Sequence, residues 1–398
     1  MLASVASRRS LARSLLTARP RLGARSLAAR SLGTWPAFLA PPSSSAVDVL
    51  ETESQDIFFN LATEEYLFEH VDVRNPSLFL WRNRPAIIMG KHQNPWKECR
   101  VQELEADGVT LARRPTGGGC VYRDLGDTGF SFMNPHASFE DQRDFRTMNN
   151  DVLLDALARF GVAAEASGRN DLVVGDRKIS GSAWRLRNTP SGEGRRSLHH
   201  GTMLLDVDLS ALGRYLSPNK LKMESKGIAS VTARVLNLRD VAPAIDHASF
   251  CDAAASAFEA KWPGRSVNRR MLAVSELERI PELMAIYERY AEWEWRFGES
   301  PSFSHSLEHK FDWALVDVHV DVDKGLITGG RVFSDCLVPP LIDAFNEELS
   351  AGARIAYDVP GVAELCARVR ARLGDDESLR VARDEYLPEL QAWMSAEI

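Results

Sequence analysis

The chain has no uninterrupted run approaching the ~18 apolar residues that a membrane-spanning helix requires. Its most apolar stretches are as short as Ala86-Ile87-Ile88-Met89, so no membrane partner is expected. Cysteine is scarce. Cys99, Cys120, Cys251, Cys336 and Cys366 are odd in number and widely spaced with no C-x-x-C pair, which argues for free thiols and against a disulfide framework or a zinc site. His305 and His309 have helical spacing but lack the glutamate of a zincin motif and sit beside Pro301. Residues 1 to 40 lack lysine and acid altogether while carrying seven arginines among many Ser, Ala and Leu. That is the composition of a mitochondrial presequence, with a disordered basic tail as the plainer reading, and residues 1–45 are expected outside the fold as presequence and linker, in a protein of the mitochondrial matrix. Removing those seven charges takes the net charge from −7 to −14, a balance that repels a phosphate backbone and excludes general nucleic-acid binding.

What remains has an ordinary globular balance of 44% hydrophobic and 26% charged residues, and 398 residues suffice for one large and one smaller domain. After the Pro-Pro-Ser-Ser-Ser linker at 41–45, a helix is expected over Asn60–His70 with Asn60 as its cap. Strands follow at 78–81 and 86–89, and then a helix from Trp96 to Asp107 closed by Gly108. Short strands at 109–114, 120–123 and 130–133 precede a helix that buries Phe145, Met148, Val152, Leu153, Leu157 and Phe160. Further strands are expected at 171–174, 178–184 and 201–206. Consecutive strands with short turns predict an α+β class, a mostly antiparallel or mixed sheet flanked by helices. A boundary is expected near 237–247, with Ser249-x-x-Asp252 capping the next helix, giving a catalytic domain over 46–248 and a smaller α/β accessory domain over 249–398. In the latter, Val316, Val318, Val320 and Val322 alternate with polar residues and Lys324-Gly325 turns the chain into 326–333, a hairpin. Helices after Pro339, Pro360 and Arg383 complete it.

The most informative segment is Arg113-Arg114-Pro115-Thr116-Gly117-Gly118-Gly119-Cys120-Val121-Tyr122. Three glycines let backbone N–H groups close around an anion, and two arginines precede them. It is neither a Walker A loop nor a dinucleotide fingerprint. Three glycines alone also make a plain hairpin turn; the paired arginines point to a phosphate or carboxylate cradle. In Gly175-Asp176-Arg177-Lys178-Ile179-Ser180-Gly181-Ser182-Ala183-Trp184, Lys178 stands on a strand among small residues and can lean into a pocket, where its ammonium would neutralise a carboxylate or an α-phosphate. The alternative is a solvated hairpin turn.

These segments, with Phe59-Asn60-Leu61-Ala62, Leu78-Phe79-Leu80-Trp81-Arg82-Asn83, His199-His200-Gly201-Thr202-Met203-Leu204-Leu205, Lys226-Gly227-Ile228-Ala229-Ser230-Val231 and Trp293-Glu294-Trp295-Arg296-Phe297-Gly298, resemble lipoate-protein ligase A in order, from about residue 57 to the C-terminus. The resemblance implies ATP-dependent activation of lipoic acid to lipoyl-AMP with Mg²⁺, then transfer to a lysine of lipoyl domains. Those partners would be the 2-oxo-acid dehydrogenase acyltransferase subunits and the glycine-cleavage carrier protein. It implies that Arg114, Gly119, Cys120, Val121, Tyr122 and Lys178 contact ATP. Lys178, Gly118, Gly119, Asn170, Asp171 and His200 would contact lipoate, with Lys178 catalytic and Asp171 holding Mg²⁺. Cys120 stands where alanine is common in the family and could hold an acyl thioester, but an H-G-P-G-Q-like string is lacking and packing is the plainer role. The runner-up activity is a lipoyl or octanoyl transferase that takes the acyl group from a carrier protein, coenzyme A or a preformed nucleotide.

Overall fold

The computed structural model describes residues 46–70, 75–136, 145–168, 170–188, 194–216, 235–300, 302–352 and 354–398. The expected presequence and the Lys226-Gly227 loop lie outside the described residues.

Leu78, Phe79, Leu80 and Trp81 are covered on both faces, as befits a strand inside a sheet with helices on each side. They form β2 (Ser77–Trp81), flanked by β1 (Ala46–Thr52) on one side and β6 (Asp127–His136) on the other. The large sheet runs in the order β11-β1-β2-β6-β10-β9-β8-β7, adding β7 (Glu165–Ser167), β8 (Asp171–Val174), β9 (Arg177–Asn188), β10 (Arg195–Leu204) and β11 (Ser266–Leu272). The β11-β1-β2 end is parallel and the rest antiparallel. A three-stranded sheet of β3 (Ala86–Met89), β4 (Thr110–Arg113) and β5 (Val121–Arg123) packs beside it, β3 parallel to β4 and antiparallel to β5. The expected α+β class with a mixed sheet is what the chain forms.

Helix α1 (Ile57–Glu69) starts earlier than expected. Asp56 caps it, accepting from the N–H groups of Phe58 and Phe59, whereas Asn60 is wholly buried and its Nδ2 donates to Ser54 O and Arg82 O. The expected helix over 96–107 is two, α2 (Pro95–Glu98) and α3 (Val101–Asp107), because Cys99 takes extended backbone between them. Helix α4 (Phe145–Ala158) buries Phe145, Val152, Leu153 and Leu157 as expected, while Met148 and Phe160 are only half-buried. Helix α5 (Ser210–Tyr215) follows β10. In α6 (His247–Ala260) the capping box is formed by Asp246 and Ser249, three residues before the pair expected from sequence.

The expected start of the second domain at 249 is corrected by packing. Helix α6 buries Phe250, Ala254 and Phe258 in the core under the large sheet, and β11 extends that sheet in parallel with β1. After α7 (Val274–Leu277), helix α8 (Pro281–Ala291) packs Leu283, Ile286 and Tyr290 against α1. The separate sheet begins at β12 (Phe303–Lys310) and continues through β13 (Leu315–Asp323), β14 (Leu326–Ser334) and β15 (Ile355–Ala356). Its core of Val316, Val318, Val320 and Val322 is closed by α9 (Pro339–Ser350), α10 (Val359–Leu373) and α11 (Leu387–Glu397). The β13–β14 turn is at Lys324 and Gly325, both with positive φ, 50° and 71°.

Candidate active site

Parallel β3 and β4 end side by side at Met89 and Arg113, so the chain leaves both at one edge of the small sheet. There Gly90 and the glycine turn meet backbone to backbone: a Cβ on Gly90 would lie 2.2 Å from Gly118 O. Lys91 N–H donates to Thr116 O at 2.8 Å and Arg114 N–H to Met89 O at 3.0 Å. Gly118 has φ 99°, a conformation that other residues rarely adopt.

The two arginines before this turn brace it. Arg114 is 8% exposed; its Nη2 donates to Gly117 O at 2.7 Å and Gly119 O at 2.9 Å, and its Nη1 to Ile88 O at 3.1 Å. Arg113, wholly buried, donates to the carbonyls of Lys91, Gln93, Trp295 and Arg296 and to Ser300 Oγ, tying the Gly90–Gln93 turn to the five-residue π-helix Glu294–Gly298. Both guanidinium groups are held by carbonyl dipoles, with no carboxylate among the described residues in hydrogen-bond contact, and burial lowers each to about 10, still charged at neutral pH.

Lys178 faces this turn from β9. A bulge opposite Leu172 and Val173 breaks the alternation and re-aims the strand, and Gly181 leaves the space that the ammonium fills, since a Cβ there would lie 2.7 Å from Lys178 Nζ. Nζ is 2.7 Å from Asp171 Oδ1, with the two side chains 37% and 35% exposed. Leu236 N–H donates to Lys178 O at 2.9 Å and fixes the backbone behind it.

Behind the turn runs a buried hydrogen-bonded chain that ends on an acid. Glu64, on α1 and 1% exposed, accepts from His200 Nδ1 at 2.8 Å and from Ser131 Oγ, which in turn accepts from Trp81 Nε1 at 3.2 Å. His200 Nε2 lies 2.7 Å from Thr116 Oγ1, which accepts from Arg114 Nε at 3.2 Å. His200 is thereby joined both to Glu64 and to the glycine turn.

One cavity of about 150 Å³ connects these parts. Arg114, Gly118, Gly119, Cys120, Val121, Asn170, Lys178 and His200 all line it. Tyr122 and Asp171 do not: Tyr122 alternates to the other face of β5 and stacks on Tyr215, ring centroids 5.9 Å apart, while Asp171 pairs with Lys178. Leu61, Trp81, Ile88 and Ala183 supply apolar wall, and Arg123, ion-paired with buried Asp127, has its guanidinium carbon over the Trp81 ring, 3.9 Å from the centroid. Trp81, Glu64 and Thr116 were not foreseen as site residues. An acid in the middle of a helix that buries nearly its whole surface was the available signal for Glu64. Among the described residues no group of three His, Cys, Asp or Glu could hold a metal ion. Chemically, an apolar wall, a glycine turn and one exchangeable ammonium suit a carboxylate on an apolar chain, presented to an anhydride or phosphate at the turn.

The family model of the lipoyl protein ligase A/B catalytic domain matches residues 56–259, and that of the bacterial lipoate protein ligase C-terminus matches residues 300–373. Among solved structures, the chain is similar to P. falciparum LipL1 in complex with lipoate, at 29% identity over 88% of this chain and 99% of that one, with a TM-score of 0.52. It is also similar to the bi-partite lipoate protein ligase of Thermoplasma acidophilum, described with its E2 lipoyl domain, at 25% identity over 64% and 97% of the two chains and a TM-score of 0.53. A lipoate-protein ligase A bound with ATP shares the fold, at 24% identity, 64% and 99% coverage and a TM-score of 0.52.

Proposed function

The chain belongs to the lipoyl protein ligase A/B family, and on that footing we propose that it activates lipoate with ATP as lipoyl-AMP and passes the lipoyl group to a lysine of a lipoyl carrier domain. The observation that carries this reading is the single cavity joining the glycine turn, Lys178 and an apolar wall. A carboxylate is a poor acyl donor until one of its oxygens becomes part of a better leaving group. Attack of the lipoate carboxylate on the α-phosphate of ATP forms the mixed anhydride and releases diphosphate, and the acceptor amine then displaces AMP. Lys178, which lines the cavity and is partly exposed, exchanges Asp171 for the carboxylate and phosphate oxygens where negative charge builds. Leu61, Trp81 and Ile88 cover the chain, each buried methylene contributing roughly 0.8 kcal/mol. His200, held by Glu64, places Nε2 toward Thr116 and keeps the turn and the acyl wall in one register.

Among the described residues one carboxylate beside Lys178 and no metal cage is a donor set that fits Mg²⁺ only as an ion arriving with phosphate oxygens and water as its other ligands. Asp171 would hold it, and the ion would neutralise phosphate charge.

Lipoyl domains of 2-oxo-acid dehydrogenase acyltransferases are the acceptors in this reading, and the glycine-cleavage carrier protein is a further one of the same chemistry. The acid-free, arginine-bearing residues 1 to 40 support a mitochondrial matrix location, tested by import into isolated mitochondria with and without membrane potential. Intact mass of an apo lipoyl domain after incubation with the chain, Mg²⁺, ATP and free lipoate tests the activity. A parallel arm given lipoyl-AMP separates ligase from transferase: modification in the second arm alone refutes adenylation by this chain.

A further inference from the structure

Cys120 closes the glycine turn and lines the cavity, and its Sγ lies 3.8 Å from Sγ of Cys99. The two differ in freedom. Cys99 is 3% exposed, its N–H donates to Pro95 O at 2.8 Å, and it forms an antiparallel bridge with Leu216. Cys120 is half-buried and follows Gly117 and Gly119, next to which an added Cβ would meet nothing within 4 Å. The chemistry divides in the same way. Cys99 is held as a thiol by its contact with Cys120 and by burial away from water, whereas Cys120 meets whatever enters the cavity and lies near Arg113 and Arg114.

We propose that Cys99 and Cys120 form an oxidation site at which a hydroperoxide makes a disulfide that closes the nucleotide turn. The Cys120 thiolate attacks the terminal oxygen of the peroxide: an S–O bond forms, the O–O bond breaks, and the alkoxide or hydroxide leaves and takes up a proton. The Cys99 sulfur then displaces hydroxide from the Cys120 sulfenic acid: an S–S bond forms, the S–O bond breaks, and the thiol proton departs with the hydroxide as water. Two thiols lose two electrons and the peroxide gains them. Bonding closes the sulfurs from 3.8 Å to the roughly 2.05 Å of a disulfide. Because Cys99 is fixed by its neighbours, the movement falls on the turn and draws Gly119 O from the Arg114 hydrogen bond at 2.9 Å.

The loss of activity rests on the reading of this turn as the nucleotide site; the disulfide itself does not. The full chain is treated with hydrogen peroxide, digested without reductant and mapped by mass, beside assays of ATP-dependent lipoylation. Expected is a peptide pair joined through Cys99 and Cys120 with the loss of two hydrogens, an activity lower by roughly tenfold or more, and recovery with dithiothreitol. Cys99→Ala, or Cys99→Val if the smaller side chain weakens folding, keeps its activity in reductant. After a limited peroxide dose it stays active while its Cys120 sulfenic acid is trapped by dimedone. Oxidation of Cys120 without the cross-link overturns the site, and equal inactivation of Cys99→Ala or full activity of the cross-linked chain overturns the closure. If the reduced chain shows no ATP-dependent activity, the proposed function fails, and the cross-link is still decided by mass.

Discussion

Gly90→Ala tests how the glycine turn is held. The added Cβ would lie 2.2 Å from Gly118 O and 3.2 Å from Gly117 C, so about an ångström must open before the oxygen contact becomes ordinary. The strand side cannot supply it, because Ala86, Ile87, Ile88 and Met89 are buried and β3 is paired on both edges. Gly117, Gly118 and Gly119 are exposed, so the turn moves, stretching the Arg114 hydrogen bonds to Gly117 O and Gly119 O. Overpacking of this kind costs about 1–3 kcal/mol, and hydrogen bonds to a charged donor carry a similar amount. Expected is a fall of roughly 5- to 150-fold in kcat/KM for ATP, read as diphosphate release. Lipoate affinity stays within roughly threefold and Tm within roughly 5 °C. Gly213→Ala, on α5 with nothing within 4 Å of the new Cβ, is the neutral control. An ATP kcat/KM within roughly twofold of wild type in Gly90→Ala, or an equal loss of lipoate affinity, refutes the backbone contact as the support of a nucleotide turn.

Lys178→Met should lower both adenylation and transfer from supplied lipoyl-AMP by roughly 10²- to 10³-fold while moving Tm little, because an ion pair this exposed is worth about 0–1 kcal/mol; transfer at the wild-type rate would confine the lysine to the first step. Arg113→Met should cost about 3–5 kcal/mol in urea unfolding, since the carbonyls and the Ser300 hydroxyl that it serves lose their donor in a dry site; a cost under about 1 kcal/mol would mean that water reaches them. Burial lowers His199 to about 3 and His247 to about 4, from about 6.5 in the unfolded chain. Both fold neutral, so their contribution is complete above pH 6.5 and is lost as pH falls toward 4, at about 1.4 kcal/mol per pH unit for each. Urea titrations between pH 5 and 6.5 should show this slope and His199→Gln should halve it; a profile unchanged by that substitution would contradict the assignment.

Much of the fold was legible because its signals are local. The alternation of Val316 to Val322 and the Lys324-Gly325 turn mark a hairpin with one buried face, and β13 and β14 are that hairpin. What escaped is non-local. Strand β1 sits just after a linker and owes its burial to β2 and to β11, some 220 residues away, a pairing that no window of sequence contains. The same pairing placed the expected domain boundary too early. At the site, the run of glycines and Lys178 were visible as residue types, whereas the Cys99–Cys120 and Glu64–His200 contacts depend on separate elements meeting. Tyr122, which the resemblance implied as a contact beside Val121, lies on the other face of β5 because strand residues alternate, and stacks on Tyr215.

The arginine pair carries the deeper lesson about charge. Sequence proximity suggests two cations waiting for phosphate, yet every cation lining the cavity already has partners, and burial decides which one can change them. Arg114 would have to leave three carbonyls in a nearly dry site, and Arg123 would strip buried Asp127 of its counter-ion, which costs several kcal/mol. Lys178 gives up only a third-exposed carboxylate, whose departure water compensates to within about 1 kcal/mol. The arginines therefore set the shape of the turn and the lysine alone is free to follow the charge, which divides scaffold from chemistry within one cavity.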